Sequence, residues 1–271
     1  MAGYYMAIDI ERERGRQVIG FIENSKLQLV EVHRFDNRTI AKDGKLIWDF
    51  EHLYEEMLIG LQKCWDFQKL PVFIGIASWG EDFVLLDEDN KIVWNPIAET
   101  SRQMDTIQQL HVIKEEYPEC LEKAKSLLFI ADYLSFLLCG VKSCEYTNAS
   151  SSFLVDTNQG IWNDEMIQKY GLPRDIFLTL CPPGIMLSNL IRNVTEEIGY
   201  DCIVSRVEGN RKNPNPIVKS IAEKTVNMNP DEVAVVGSIT TMMIRGHQFK
   251  MEEEVKRIIY DYFAIDPEPN Q

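Results

Sequence analysis

Ile74-Gly75-Ile76-Ala77-Ser78-Trp79-Gly80-Glu81-Asp82-Phe83-Val84-Leu85-Leu86-Asp87 is the stretch on which the fold turns. It opens as a short apolar run bounded by a turn, the pattern of a strand covered on both faces. It breaks at Trp79-Gly80 into an acidic, aromatic corner and resumes as a second apolar run ending in Asp87. Gly80 admits backbone angles closed to other residues and lets a ligand approach the main chain. Trp79 offers a broad apolar face, and Glu81 and Asp82 accept hydrogen bonds from hydroxyls, a combination that suits a sugar. The same residues also describe a strand–turn–strand with a core indole and solvated acids.

Upstream, Tyr4 to Ile10, Gln17 to Glu23 and Leu27 to Phe35 read as three strands, with Asn24-Ser25 as the turn between the last two. From Trp48 to Phe67 the apolar spacing becomes helical, through Phe50, Leu53, Met57, Leu58, Leu61 and Trp65, with Asp49 as N-cap. A meander of three strands, a helix and a parallel fourth strand is the core order of a ribonuclease H-like α/β domain.

Downstream, Ile92 to Trp94 reads as a strand pairing back. Thr106 to Tyr117 and Pro118 to Cys139 read as helices, the second buried around much of its circumference and stopped at Gly140. Glu145 to Ser152 reads as a polar surface loop, Trp162 to Gly171 as a helix, and Ser188 to Ser205 as a helix with a short strand. Gly209 to Pro216 is the most turn-rich segment and marks a joint. Beyond it, Ile217 to Thr225, Asp231 to Ile244 and Glu252 to Phe263 read as three helices before a frayed tail.

The chain of 271 residues carries 28 Lys and Arg against 42 Asp and Glu, a net charge of −14, which argues against nucleic-acid and anionic-membrane partners. No apolar run reaches the length of a membrane span. The N-terminus lacks the pattern of a signal peptide. Six scattered cysteines without a CxxC pair read as reduced thiols of a cytoplasmic protein. The four histidines, His33, His52, His111 and His247, fall in separate elements and make a poor metal cluster. No Walker loop, G-x-G-x-x-G, G-x-S-x-G or HExxH is present. Asp9 and the run Glu11-Arg12-Glu13-Arg14-Gly15-Arg16 form a charged turn that presents arginines to a phosphate or pairs its own charges at a hairpin tip.

Ala7-Ile8-Asp9 with Gly15-Arg16, Glu31 to Phe35, Trp48-Asp49, Ile74 to Asp87, Ser101-Arg102, Asp132-Tyr133, Glu145 to Ala149, Trp162 and the C-terminal helices occur in a telling order. In that order they resemble the FGGY carbohydrate kinases, with the detail of the rhamnulokinase branch. The resemblance implies a two-domain fold of the actin–hexokinase superfamily, with a sugar-side N-terminal domain over 1–205 and a remnant of the second domain, as helices, over 206–271. It implies transfer of the γ-phosphoryl group of MgATP to the 1-hydroxyl of a ketose such as L-rhamnulose. Trp79, Gly80 and Asp82 would then line the sugar site. Asp9 would lie near the magnesium ion and phosphates, Gly15 and Arg16 would face the ATP, and Gly209 would lie near the adenosine.

Three departures qualify that expectation. Glu11, Arg12, Glu13 and Arg14 stand where the family has glycine and small hydroxyl residues, and carboxylates beside a polyanion are unfavourable. The segment from Arg102 to Thr106 is shorter than in the family. After about Ser205 the sequence jumps nearly to the end of the second domain, so the His-Asp-Thr segment with the catalytic base is absent and no catalytic residue is assigned. The sequence therefore reads as a catalytically impaired kinase homologue, and alternatively as a non-catalytic sugar-binding pseudokinase, a partner of an intact kinase or a homo-oligomer.

Overall fold

The computed structural model describes residues 3–98, 104–210, 212, 215–223, 229–245 and 252–264. Ser101-Arg102, Arg211, His247 and the tail from 265 lie outside the described residues. Strand β1 (Tyr5–Ile10) sits at the centre of the main sheet and is buried along its whole length. It pairs antiparallel with β2 (Arg14–Glu23), which pairs antiparallel with β3 (Lys26–Asp36) through the Asn24-Ser25 turn, where both residues have positive φ. That turn gives the twist a two-residue hairpin needs. A small hairpin, β4 (Thr39–Lys42) and β5 (Lys45–Trp48), leads into helix α1 (Phe50–Lys63), whose N-terminus is capped by the Asp49 carboxylate accepting from His52 N–H. The chain then returns as β6 (Phe73–Ala77), parallel to β1.

The expected break at Trp79-Gly80 is where the chain changes sheet. Strand β7 (Phe83–Leu86) lies between β8 (Ile92–Trp94) and a later strand in a separate three-stranded sheet. Helix α2 (Thr106–Glu116) follows, with a capping box between Asp105 and Gln108. The single helix expected over Pro118–Cys139 is three elements: α3 (Pro118–Lys123), β9 (Ser126–Phe129) and α4 (Ile130–Cys139). Leu127, Leu128 and Phe129 pair with β7 instead of continuing a helix, since an apolar run on its own does not distinguish the two. Gly140 ends α4 in the left-handed conformation, as its position predicts.

Further along come β10 (Cys144–Glu145), the single turn α5 (Tyr146–Ala149), β11 (Val155–Asp156), β12 (Ile161–Trp162), α6 (Asp164–Lys169) and β13 (Leu180–Cys181). The polar stretch Glu145 to Ser152, expected on the surface, is largely buried, because the Glu145 carboxylate caps α5 from inside the protein. Then β14 (Met186–Asn189), α7 (Arg192–Ile198) and β15 (Ile203–Ser205) complete the main sheet, whose order is β14-β15-β6-β1-β2-β3. Three helices follow: α8 (Pro216–Glu223), α9 (Pro230–Arg245) and α10 (Glu252–Tyr262). No helix among the described residues is long and apolar enough to cross a membrane.

Strand alternation assigns the two faces of the sheet. Met6, Ile8 and Ile10 pack with Leu53, Met57 and Leu61 of α1 and with Leu134 and Leu138 of α4. Tyr5, Ala7 and Val18 pack with Val236, Ile239 and Met242 of α9 and Ile259 of α10. The residues from 206 onward, expected as a second-domain remnant, thus supply the second helical layer over the sheet of the first 205. A third cluster gathers Phe83 and Leu85 with α2, Phe129 and Trp162, while Val84 and Leu86 reach the main core, so β7 joins the two.

Close approach of α9 requires small residues beneath it. A Cβ on Gly20 would lie 2.5 Å from Ile239 Cγ2, and one on Gly75 would lie 3.3 Å from Met242 Sδ. Gly20→Ala is expected to destabilise the protein by about 1–3 kcal/mol through overpacking. Equilibrium urea unfolding checks this, and an unchanged midpoint would mean that α9 does not seat on β2.

Candidate functional site

The C-terminal ends of β1 and β6 point to the same edge of the molecule, where the expected site residues fall into three groups. In the first, the corner is built around one carboxylate. Asp82 is fully buried and accepts from Trp79 Nε1 at 2.7 Å, Trp48 Nε1 at 2.9 Å and Gln109 Nε2 at 3.1 Å. The Trp48 and Trp79 rings pack with centroids 4.9 Å apart. Only 3% of Trp79 is exposed, and Gly80 is backed so closely that a Cβ would meet Asn210 Nδ2 at 2.6 Å and Ser151 Oγ at 2.7 Å. Trp79, Gly80 and Asp82 are therefore brought together, but as the inner wall of a site. The glycine is required by its neighbours, whatever binds nearby.

The open space lies one layer outward. A cavity of about 580 Å³ is lined by Arg12, Asn37, Arg38, Thr39, Leu46 and Trp48 among others. Trp48 connects it to Asp82, and Arg12 connects it to Glu81 by an ion pair of 3.2 Å, with Lys212 on the other carboxylate oxygen at 3.0 Å. Burial pushes the Glu81 carboxyl up, but the Lys212 ammonium and the Arg12 guanidinium outweigh it and hold it below its ordinary value. Asn37, Arg38 and Thr39 were missed in the sequence because nothing local marks the connection before a hairpin as a cavity wall. The signal in hand was Trp48, an indole preceding a helix cap.

The second group is Asp9, Gly15 and Arg16. Asp9 lies on the face of β1 that carries Tyr5 and Ala7, beneath α9. Arg16 donates to Asp9 Oδ2 through Nε and Nη2, both at 3.3 Å, and also to the Asp231 carbonyl at the start of α9. Arg14 pairs with Glu11 at 3.1 Å and with the Asp231 carboxylate at 3.3 Å. The recess these residues enclose has a volume of about 10 Å³, no more than one water requires. Gly15 serves packing, since a Cβ there would sit 2.2 Å from the Phe35 ring. The residues present do not fit magnesium with a nucleotide triphosphate: the Asp9 carboxylate already faces a guanidinium, Asp231 adds a further carboxylate, and the volume is filled. The three arginines part company: Arg12 turns to the corner, Arg14 and Arg16 turn to α9, and Arg14 also pairs with Glu11 within the charged turn.

The third group surrounds Gly209, which lies beyond β6 and not in the Asp9 recess. Its carbonyl accepts from Ser78 N–H at 2.8 Å, and its own N–H donates to Glu145 Oε2 at 3.0 Å. The Glu145 carboxylate also accepts from the N–H groups of Thr147 and Asn148 and from the Thr147 hydroxyl. Arg206 pairs with the buried Asp132 at 2.9 Å. Glu208 is held by the Thr241 hydroxyl of α9, which in turn accepts from Asn215. Burial pushes both carboxyls up to about 7, in Glu208 against the Thr241 hydrogen bond and with the nearby Glu145 charge adding to the rise.

Residues 98–210 match the N-terminal domain of the FGGY family of carbohydrate kinases. This match, with the sheet order and the second helical layer, supports an FGGY-type protein. The chain is, within that family, a rhamnulokinase-like protein: it is 35% identical to the rhamnulokinase of Oceanobacillus iheyensis over 223 residues, 72% of this chain and 47% of the relative. It is 31% identical to that of Bacillus subtilis over 210 residues, 69% of this chain and 43% of the relative. The chain thus spans about half the length of the curated relatives it matches. Among solved structures, a gluconate kinase from Lactobacillus acidophilus superposes with a TM-score of 0.64 at 15% identity, covering 78% of this chain and 48% of the other. A Plasmodium falciparum glycerol kinase with ADP gives 0.59 at 15% identity, covering 81% and 50%.

Glu208 offers a test of the seam between the sheet and α9. Its folded-state pKa lies above the ordinary 4.5, so the folded protein holds a proton that the unfolded chain has released. Stability is then lost as pH rises from about 4.5 to about 7 and is flat above. Glu208→Gln removes this loss while leaving Glu145 in place. Against wild type, it is expected to be relatively more stable at pH 8 than at pH 5, by up to roughly 3 kcal/mol. Urea titrations at the two pH values measure the difference, and parallel profiles would show that Glu208 does not titrate in the seam.

Proposed function

We propose that this chain binds a sugar of the ketose class, L-rhamnulose being the model compound, and transfers phosphate to it inefficiently at best. The observation that carries this reading is the pairing of an open cavity floored by Trp48 with a closed recess at Asp9. The cavity has the ingredients of polyol recognition: an asparagine, a threonine, a glutamate and two arginines, backed by the buried Trp48 that donates to the Asp82 carboxylate. Similarity to rhamnulokinases supports the choice of sugar.

The recess supports the limit on chemistry. Phosphoryl transfer depends on aligned phosphates, neutralised charge and a base orienting the hydroxyl. Arg16 here takes the place that a cation would need beside Asp9, and α9 closes the approach. The sequence also contains no His-Asp-Thr segment to supply the base, a loss worth about 10²–10⁴-fold by itself.

L-rhamnulose is expected to raise the melting temperature and MgATP to leave it unchanged. Asn37→Ala combined with Arg38→Ala is expected to abolish the sugar shift. In a coupled ADP-release assay with both compounds, turnover is expected to stay well below ~1 s⁻¹, the low end of ordinary kinase rates. Sugar-dependent turnover at or above that rate, or a protein indifferent to the sugar, would refute the proposal.

A further inference from the structure

The end of the main sheet away from the Trp48 cavity carries an apolar patch of its own. Residues 64–72 lead from α1 to the start of β6 and fold into a tight turn. Asp66 N–H donates to the Lys63 carbonyl, Gln68 N–H to that of Trp65 and Lys69 N–H to that of Cys64. Trp65 is fixed from two sides: its Nε1 donates to the Ile198 carbonyl at 2.8 Å, and its ring stands edge-on to Tyr200 with centroids 6.0 Å apart. Val72 borders the same segment, since its carbonyl accepts from Ile203 N–H at 3.0 Å. Yet Trp65 is 50% exposed, Val72 44% and Phe67 39%.

A half-exposed indole that is already immobilised is the kind of anchor that protein interfaces use, because little side-chain freedom remains to be lost on association. The same loop carries two charges, Asp66 and Lys69, on either side of Phe67. They stand three residues apart, yet neither forms an ion pair with the other or with any other described residue. The Lys69 ammonium lies instead over the Phe21 and Tyr4 rings, 5.1 and 5.8 Å from their centroids. An acid and a base flanking an apolar anchor make a surface complementary to itself. A two-fold axis through Phe67 turns the Asp66 of each copy toward the Lys69 of the other, so every such pair is made twice.

We propose that residues 64–72 form a homodimer interface, in which Trp65, Phe67 and Val72 pack against a second copy of this chain and Asp66 pairs with the partner's Lys69. Three part-exposed side chains fall short of the ~800 Å² per partner of a standard interface, so the dimer is of the weak, reversible class. The patch lies at the opposite end of β6 from the corner, and the dimer leaves the Trp48 cavity accessible. The inference is therefore independent of what that cavity binds.

Sedimentation velocity of the full chain tests this from about 5 μM to about 1 mM, the range in which a weak interface populates both states. The wild type is expected to pass reversibly from monomer to dimer. Phe67→Ala is expected to weaken the dimer by roughly tenfold or more. Asp66→Lys and Lys69→Glu, each alone, replace two reciprocal ion pairs by two repulsions, and each is expected to weaken it by roughly tenfold. Together they restore opposite charges across the axis and are expected to recover the association of the wild type. The charge variants leave Trp65, Phe67 and Val72 in place, so they decide the matter if Phe67→Ala fails to fold. A wild type that stays monomeric over the whole range overturns the proposal. So does association that the single charge variants leave unaltered, or a double variant that dimerises no better than either single.

Discussion

A single buried carboxylate ties three parts of this protein together. Asp82 belongs to the corner between β6 and β7, Trp48 ends the hairpin, and Gln109 lies on α2; all three meet at its two oxygens. A carboxylate removed from water without donors is costly, and removing one partner leaves polar groups stranded on the other side. The corner, the hairpin and α2 must therefore assemble together. The cavity wall and the indole packing both inherit their positions from this contact.

Charge satisfaction also sets the limits of the Asp9 end. A carboxylate at the end of a strand can be met by a cation that arrives from outside or by a countercharge the chain itself supplies. Here the chain supplies the countercharge itself, through Arg16, and holds that arginine with the α9 carbonyl. Both solutions satisfy Asp9, but only one leaves room for a second molecule. The same helix that completes the hydrophobic layer over β1 and β2 thus closes the space beside Asp9.

Much of the architecture was legible in the sequence. The three-strand meander, the Asp49-capped helix, the parallel return at Ile74 and the three C-terminal helices follow from periodicity and turn residues. So does the change of sheet at Trp79-Gly80. The strand inside Pro118–Cys139 was not legible, because residues apolar on every side carry no period. Nor was the burial of Glu145, whose polar neighbours resemble a loop until Gly209, some sixty residues later, is brought against it. The closed state of the site depends on Trp48, Gln109 and Asp231, and no local window around Trp79 or Asp9 contains them. The C-terminal helices announced their apolar stripes, but not which surface would receive them.

The packing of Ile239 and Met242 onto the face of Tyr5 and Ala7 has a consequence for how the protein is made. Strand β1, ending at Ile10, is synthesised some 220 residues ahead of α9, which begins at Pro230. Loop closure over such a separation is slow relative to local structure, and contacts of this kind delay completion of the fold. A nascent chain that has emitted the entire main sheet still carries an uncovered apolar surface until α9 emerges. Over that interval the half-built domain is open to association with other chains or with chaperones. The helix that holds Arg16 over Asp9 in the finished protein is thus also the one whose arrival ends that exposure.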